Sequence, residues 1–304
     1  MPRTISSKTT GTIVNIPTAD GSTWKDPREN PEAANAEIAG ILSDVSTGDK
    51  PDLDVPADDL VELPGGLLKD DKLIRTAIVR ELTGEDEEAL ARASQSLNAF
   101  HFIDRLLQCG VVRIGDLPPG RTEELLKELL VGDREALILG IRRSTYGNTI
   151  EIKDWKCPSC GGTTELSLEI EHIPSKILDS PRTELVFLVA LRNGRQAHVR
   201  LANGSDQTAL FEDASLTQTE RETILLSRCI VSITDANGNT VPMAGFPSMA
   251  RTLSIPDRHK VLKELSSRQP GPKYDDIVIK HQTCGNEVPV TLGIGDLFLD
   301  FGWF

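Results

Sequence analysis

Two short segments constrain this chain more than any others: Cys157-Pro-Ser-Cys160-Gly161 and His281-Gln-Thr-Cys284-Gly285. Two residues between potential ligands let a backbone turn tightly around one ion. A glycine after the second ligand frees the chain where its amides turn toward sulfur. Each segment offers two ligands, and zinc takes four in a tetrahedron. Cys157, Cys160, His281 and Cys284 together therefore predict one structural zinc per chain, with no open position for catalysis. Either knuckle alone is weak evidence, but both are flanked by strand-like sequence. The competing reading is four reduced side chains that are merely buried. Cys109 and Cys229 lie at helix ends within apolar runs and read as buried free thiols.

The knuckles sit in a longer correspondence. Residues Asp133 to Cys160 match Asp257 to Cys284 without a gap, at a constant offset of 281 − 157 = 124 residues. Leu137 falls on Val261, Ile141 on Leu265, Gly147 on Gly271 and Gly161 on Gly285. Beyond the knuckles, Leu166, Leu168 and Ile170 fall on Val290, Leu292 and Ile294. Chance likeness between two helix–strand–turn segments is the plain alternative to duplication. Two copies at so long a period exclude a solenoid. The expected architecture is α+β: two diverged copies of a hairpin–helices–zinc-knuckle module, residues 58–174 and 175–304, joined through a shared zinc-ribbon-like site.

Local patterns fill in the first copy. Leu60, Val61 and Leu63 precede the turn signal Pro64-Gly65-Gly66, and residues 73–82 suit a strand, which together predict a β-hairpin. Thr83 and Asp86 form a capping box opening a helix over 84–108. Shorter helices are expected over 123–130 and 133–143, the second stopped by Gly147. Residues 149–155 are strand-like. In the second copy, residues 185–191 and Arg192-Asn193-Gly194 resemble the hairpin, Leu216-Thr217 resembles Leu82-Thr83, and Cys229-Ile230-Val231 resembles Cys109-Gly110-Val111. Asp133-Arg134 and Asp257-Arg258 read as N-caps with structural ion pairs. The acids Glu85 to Glu88 suit a first helical turn without a bound cation.

Residues 1–57 differ. They are rich in Thr, Asp, Pro, Gly and Asn, with one short helical candidate over 31–44. Such a segment is poor in core-forming residues. It reads either as a disordered tail or as an extended N-terminal arm that orders on a neighbouring subunit.

Composition excludes several functions. Lys plus Arg is 33 against 46 Asp plus Glu, a net charge of −13. Such a chain repels a phosphate backbone unless its cations gather on one face, and no gathering is visible. Lys153, Lys156 and Lys280 near the knuckles are offset by Asp154, Glu165 and Glu169. Nucleic acid is thus the alternative reading, not the leading one. No apolar run approaches the roughly 18 to 20 residues of a membrane span, and the N-terminus lacks the apolar core of a secretory signal. Five cysteines in a reducing cytoplasm suit metal ligands or buried thiols. There is no phosphate loop, nucleophile elbow or paired-carboxylate signature. His101, His172 and His259 have no motif partner.

Four segments carry a resemblance: LPGG at 63–66, RELTGEDEEALA at 80–91, GDREALILGIRRSTYGN at 132–148 and CPSCG at 157–161. Taken in this order they resemble the T-even-type baseplate protein and baseplate hub assembly chaperone family of contractile phage tails. The likeness covers residues 58–170 well and the later part of 184–295. It departs at His281, at the second hairpin, which lacks the PGG turn, and over the N-terminal arm. The resemblance implies a non-enzymatic structural or assembly protein that contacts other tail proteins, hub or tube. It implies no nucleic-acid or membrane partner, folding in the host cytoplasm, and then a place in the virion tail baseplate.

Overall fold

In the computed structural model, residues 59–94, 99–243, 246–290, 292, 293 and 297 are described. The expected arm, residues 1–57, lies outside them. Strand β1 (Asp59–Lys69) pairs antiparallel with β2 (Lys72–Val79). The chain reverses at Asp70-Asp71, both with positive φ, 48° and 60°, as a two-residue type I′ turn requires. The turn expected at Pro64-Gly65-Gly66 is instead a bulge within β1, where the register shifts between Glu62 and Leu67. Proline cannot donate to the ladder, and Gly66 takes φ 74°, so the extra residues buckle out without ending the strand.

The helix expected over 84–108 is two helices, Gly84–Ser94 and Ala99–Gly110, with residues 95–98 outside those described. At the end of the first, the Ser94 hydroxyl donates to the Ala91 carbonyl at 2.8 Å, competing with helical hydrogen bonding. The capping box is present: the Thr83 amide donates to Asp86 at 2.9 Å, and the Asp86 amide donates to Thr83 Oγ1 at 3.5 Å. Arg80 adds a bidentate pair to Asp86 at 2.7 and 2.9 Å. Desolvation opposes ionisation there, but the Arg80 and Thr83 donors hold the Asp86 carboxyl at about 2. Strand β3 (Val111–Ile114) completes the sheet β1-β2-β3. Helices Thr122–Glu128 and Val131–Tyr146 follow. The second stops at Gly147 (φ 83°), whose amide bonds back to the Arg143 carbonyl. Strands β4 (Thr149–Lys156) and β5 (Thr163–Glu169) form a separate hairpin around the first knuckle.

After β6 (Ser175–Lys176) the same order returns. Hairpin β7 (Val186–Ala190) and β8 (Gln196–Arg200) precedes helices Gly204–Phe211 and Gln218–Cys229. Then come β9 (Ile230–Thr234) and β10 (Thr240–Pro242), in the sheet β10-β9-β8-β7. Helices Pro247–Arg251 and Ile255–Arg268 follow, and β11 (Gly271–Pro272) pairs with β6. Strands β12 (Ile277–Lys280) and β13 (Glu287–Val290) hold the second knuckle. The architecture is mixed, helices with several small sheets.

A capping box with an arginine clamp also stands at Asn203 in this half. The Asn203 side chain accepts from the Asp206 amide, Asp206 returns the bond, and Arg200 clamps Asp206 at 2.6 and 2.8 Å. Thr217 forms a capping box too, but on the following helix. Thr217, likened to Thr83 in the sequence, thus opens a helix through the same kind of box, on Gln218–Cys229. Cys109 and Cys229 occupy like positions at helix ends. Burial pushes their thiols up to about 11 and about 12.

Asp133 and Asp257 are not N-caps. Leu130 and Ser254 hold those positions, and both aspartates sit in the first helical turn with their carboxylates aimed at a hairpin. Asp133 accepts from the amides of Gly65 and Gly66 at 2.6 and 3.3 Å. Asp257 accepts from the Arg192 amide at 2.9 Å and the Arg195 guanidinium at 3.1 Å. The neighbouring arginines reach back eight residues, Arg134 to the Leu126 carbonyl and Arg258 to the Ala250 carbonyl. The ion pair of Arg134 is with Asp104, not with its neighbour Asp133.

Residues 56–304 form one compact unit with two hydrophobic clusters. The first gathers β1, β2 and the helices of residues 84–146, and also takes Ile277, Val290, Leu292 and Leu297. The knuckle hairpin of the second half thus packs on the core of the first. Gly132 and Gly271 mark a close approach between the halves. A Cβ on Gly132 would stand 1.7 Å from the Pro270 carbonyl oxygen. Among the described residues, no helix is long and apolar enough to cross a membrane.

Candidate metal centre

Each knuckle is a turn closed by its own backbone. In the first, the Cys157 amide donates to the Gly162 carbonyl at 2.9 Å and the Gly161 amide to the Cys157 carbonyl at 2.8 Å. In the second, the His281 amide donates to Asn286 at 2.9 Å and the Gly285 amide to His281 at 2.8 Å. Gly161 and Gly285 share φ 72°, in the left-handed region that favours glycine. This geometry is why glycine follows the second ligand in both.

The two turns meet. The ligand atoms of Cys157, Cys160, His281 and Cys284 all lie within 4.8 Å of one another and could hold a metal ion. Cys157 Sγ is 3.9 Å from Cys284 Sγ. His281 Nδ1 is 3.5 Å from Cys160 Sγ and 3.2 Å from Cys284 Sγ. A tetrahedron with metal–sulfur bonds of about 2.3 Å and metal–nitrogen bonds of about 2.0 Å has edges of about 3.8 and 3.5 Å. The donor set and spacing fit such an ion. The fit also explains why a polar ring is buried beside three sulfurs.

The surroundings support that use. Cys157 and His281 are buried, and Cys160 is exposed. Desolvation raises the Cys157 thiol, yet the amides of Cys160 and Ser159 donate to it and draw it below its ordinary value, toward the thiolate that binds metals. The Trp155 ring stands edge-on to His281, centroids 6.0 Å apart, and screens one side. Asn286 Nδ2 donates to Ser159 Oγ at 2.6 Å, a direct bond between the knuckles. No sequence motif marks Ser159, Asn286 or Trp155. Their only signal is position: between two cysteines, just after Gly285, and two residues before Cys157. His172 and His259 are exposed and stand apart from the cluster.

No curated protein and no solved structure matches this chain. A family model described as T4 bacteriophage base plate protein matches residues 79–299. That span takes in both helical regions and both knuckles, well over half of the sequence, and the chain belongs to this phage baseplate family.

Proposed function

We propose that this protein is a non-enzymatic contact-making component of a contractile-tail baseplate or hub, and that its two halves are diverged copies of one module pinned by a shared zinc. The carrying observation is the four-ligand cluster, with two ligands from each half, in a member of a baseplate family. Cys157, Cys160, His281 and Cys284 would hold the ion. Bound zinc would supply cross-linking strength, because a closed four-ligand site leaves no position for substrate or water. Asn286 and Ser159 align the two turns, the knuckle amides steady the sulfurs, and Trp155 limits solvent access.

The matching element order supports duplication, as do the paired Arg–Asp clamps at Arg80/Asp86 and Arg200/Asp206. A rigid body of this kind suits an adaptor between tube, hub and surrounding subunits. Residues 1–57 would add contact with a partner in the assembly. The protein folds in the host cytoplasm before joining a tail.

Deletion of the gene tests this directly. Heads without functional baseplates are expected from the deletion strain, and co-purification of this protein with hub or tube proteins from the parent strain. Normal infectious particles from the deletion strain would overturn the reading. Tight nucleic-acid binding at physiological salt would favour the zinc-ribbon alternative.

A further inference from the structure

A cleft of about 940 Å³ opens between the halves. Its walls are apolar, among them Val131, Leu210, Phe211, Leu225, Leu262 and Leu292. Its charged lining is one-sided: Glu135, Glu222, Asp275 and Asp276 against Lys273. Lys273 is already engaged, donating to the Gln269 carbonyl at 2.9 Å.

Two buried polar atoms on this lining lack a partner, Gln269 Oε1 and the Tyr274 hydroxyl. The Gln269 amide is oriented by its own Nε2, which donates to the Ala202 carbonyl at 3.0 Å. That leaves the oxygen as an acceptor without a donor, a costly arrangement in a buried setting. Burial pushes the Glu135 carboxyl up to about 7, with Lys273 only partly opposing it. Three groups able to accept hydrogen bonds thus lie on or just behind the lining of this cleft, among apolar side chains and an acidic rim.

We propose that this cleft docks an apolar segment of a partner tail protein that inserts an arginine toward Glu135, Gln269 and Tyr274. This rests on the tail-contact reading above. A guanidinium brings five donors and no acceptor, which matches a surface of acceptors. The apolar flanks of the segment would cover the leucine and phenylalanine walls, as in helix-in-groove recognition. A second copy of this chain is a poorer occupant, because two surfaces of net charge −13 repel.

The test uses the full-length protein assembled into tails, with the photo-crosslinker p-benzoylphenylalanine placed at Leu225 in the cleft or at Ile255, an exposed position outside it. The expected product from position 225 is a peptide of another tail protein in which an arginine is flanked by apolar residues. Glu135→Gln should lower that yield about tenfold, by loss of a charge-assisted hydrogen bond, and Tyr274→Phe by less. Neither variant should change metal content or lower the melting temperature, since each removes a buried group that burial disfavours. If Glu135→Gln fails to fold, Tyr274→Phe alone carries the comparison. Crosslinking to a second copy would overturn the proposal, as would a variant yield unchanged from the parent. Crosslinks from 255 alone would overturn the cleft proposal and leave the tail-contact reading standing. No crosslink from either position would sink both.

Discussion

Each half sets an Asp-Arg pair in the first turn of a helix, Val131–Tyr146 in one and Ile255–Arg268 in the other, and satisfies it differently. Asp257 meets a backbone amide and the Arg195 guanidinium, so both its oxygens are bonded. Asp133 meets two amides through one oxygen, and its Oδ2 is buried without a partner. Desolvation raises both carboxyls. In Asp133 it wins and pushes the group up to about 6; in Asp257 the Arg192 amide, Ser254 and Arg195 overcome it and hold the group below the usual range. The arginines reverse the contrast. Arg134 is almost fully buried against the Asp104 carboxylate, whereas among the described residues Arg258 meets only neutral oxygens, from Ala250, Thr219 and Thr223. One local motif therefore does two electrostatic jobs, decided by what the facing hairpin and helix supply.

The largest separation between the halves should come from the arginines. Arg134→Ala strands Asp104 and the Leu126 carbonyl, and should cost about 3–5 kcal/mol, as when one partner of a buried pair is removed. Arg258→Ala leaves only neutral acceptors and should cost about 1–3 kcal/mol. Denaturant unfolding at neutral pH measures both. Equal losses would break the comparison.

The aspartates should come next, with opposite signs. The folded pKa of Asp133 is raised, so the folded state holds a proton that the unfolded state has released. Its penalty is full above about pH 6, at most about 3 kcal/mol, and fades as pH falls toward 4. Asp133→Asn should therefore be neutral or stabilising at pH 7.5 and lose that advantage near pH 4. The folded pKa of Asp257 is lowered, so its contribution is present above about pH 4 and is lost as pH falls through its folded value. Asp257→Asn should cost about 1–3 kcal/mol at pH 7.5. Unfolding curves at the two pH values decide. A loss for Asp133→Asn at pH 7.5 as large as that for Asp257→Asn would refute the contrast.

The knuckle glycines should show the smallest difference. Gly161 and Gly285 have the same φ, and open space surrounds the position of a Cβ on each. Alanine at either site should cost about 1–2 kcal/mol from left-handed strain alone. Melting curves differing by much more than that between the two variants would show that the knuckles are not equivalent.

What the sequence disclosed, and what it hid, follows from how local each signal is. A knuckle is five residues with fixed chemistry, so Cys157, Cys160, His281 and Cys284 could be grouped before any fold was known. The helix–knuckle register from Asp133 and Asp257 was visible for the same reason. The PGG segment reads as a turn because a turn signal and a bulge signal use the same residues, and only the pairing of β1 with β2 separates them. The Asn203 box is hard to read because asparagine and aspartate serve turns as readily as caps, and only the Arg200 clamp on Asp206 separates the two. The roles of Asp133 and Arg134 depend on Gly65 and Asp104, far away in sequence, and no local pattern announces such partners.

The central claim is that two half-sites close one metal centre. Elemental analysis of the purified full-length protein, with Cys160→Ser and Cys284→Ser beside it, tests it most directly. One zinc per chain is expected, lost in both variants, with a destabilisation of about 4 kcal/mol or more that loosens both halves. Two zinc ions per chain, or none in a stably folded sample, would contradict it.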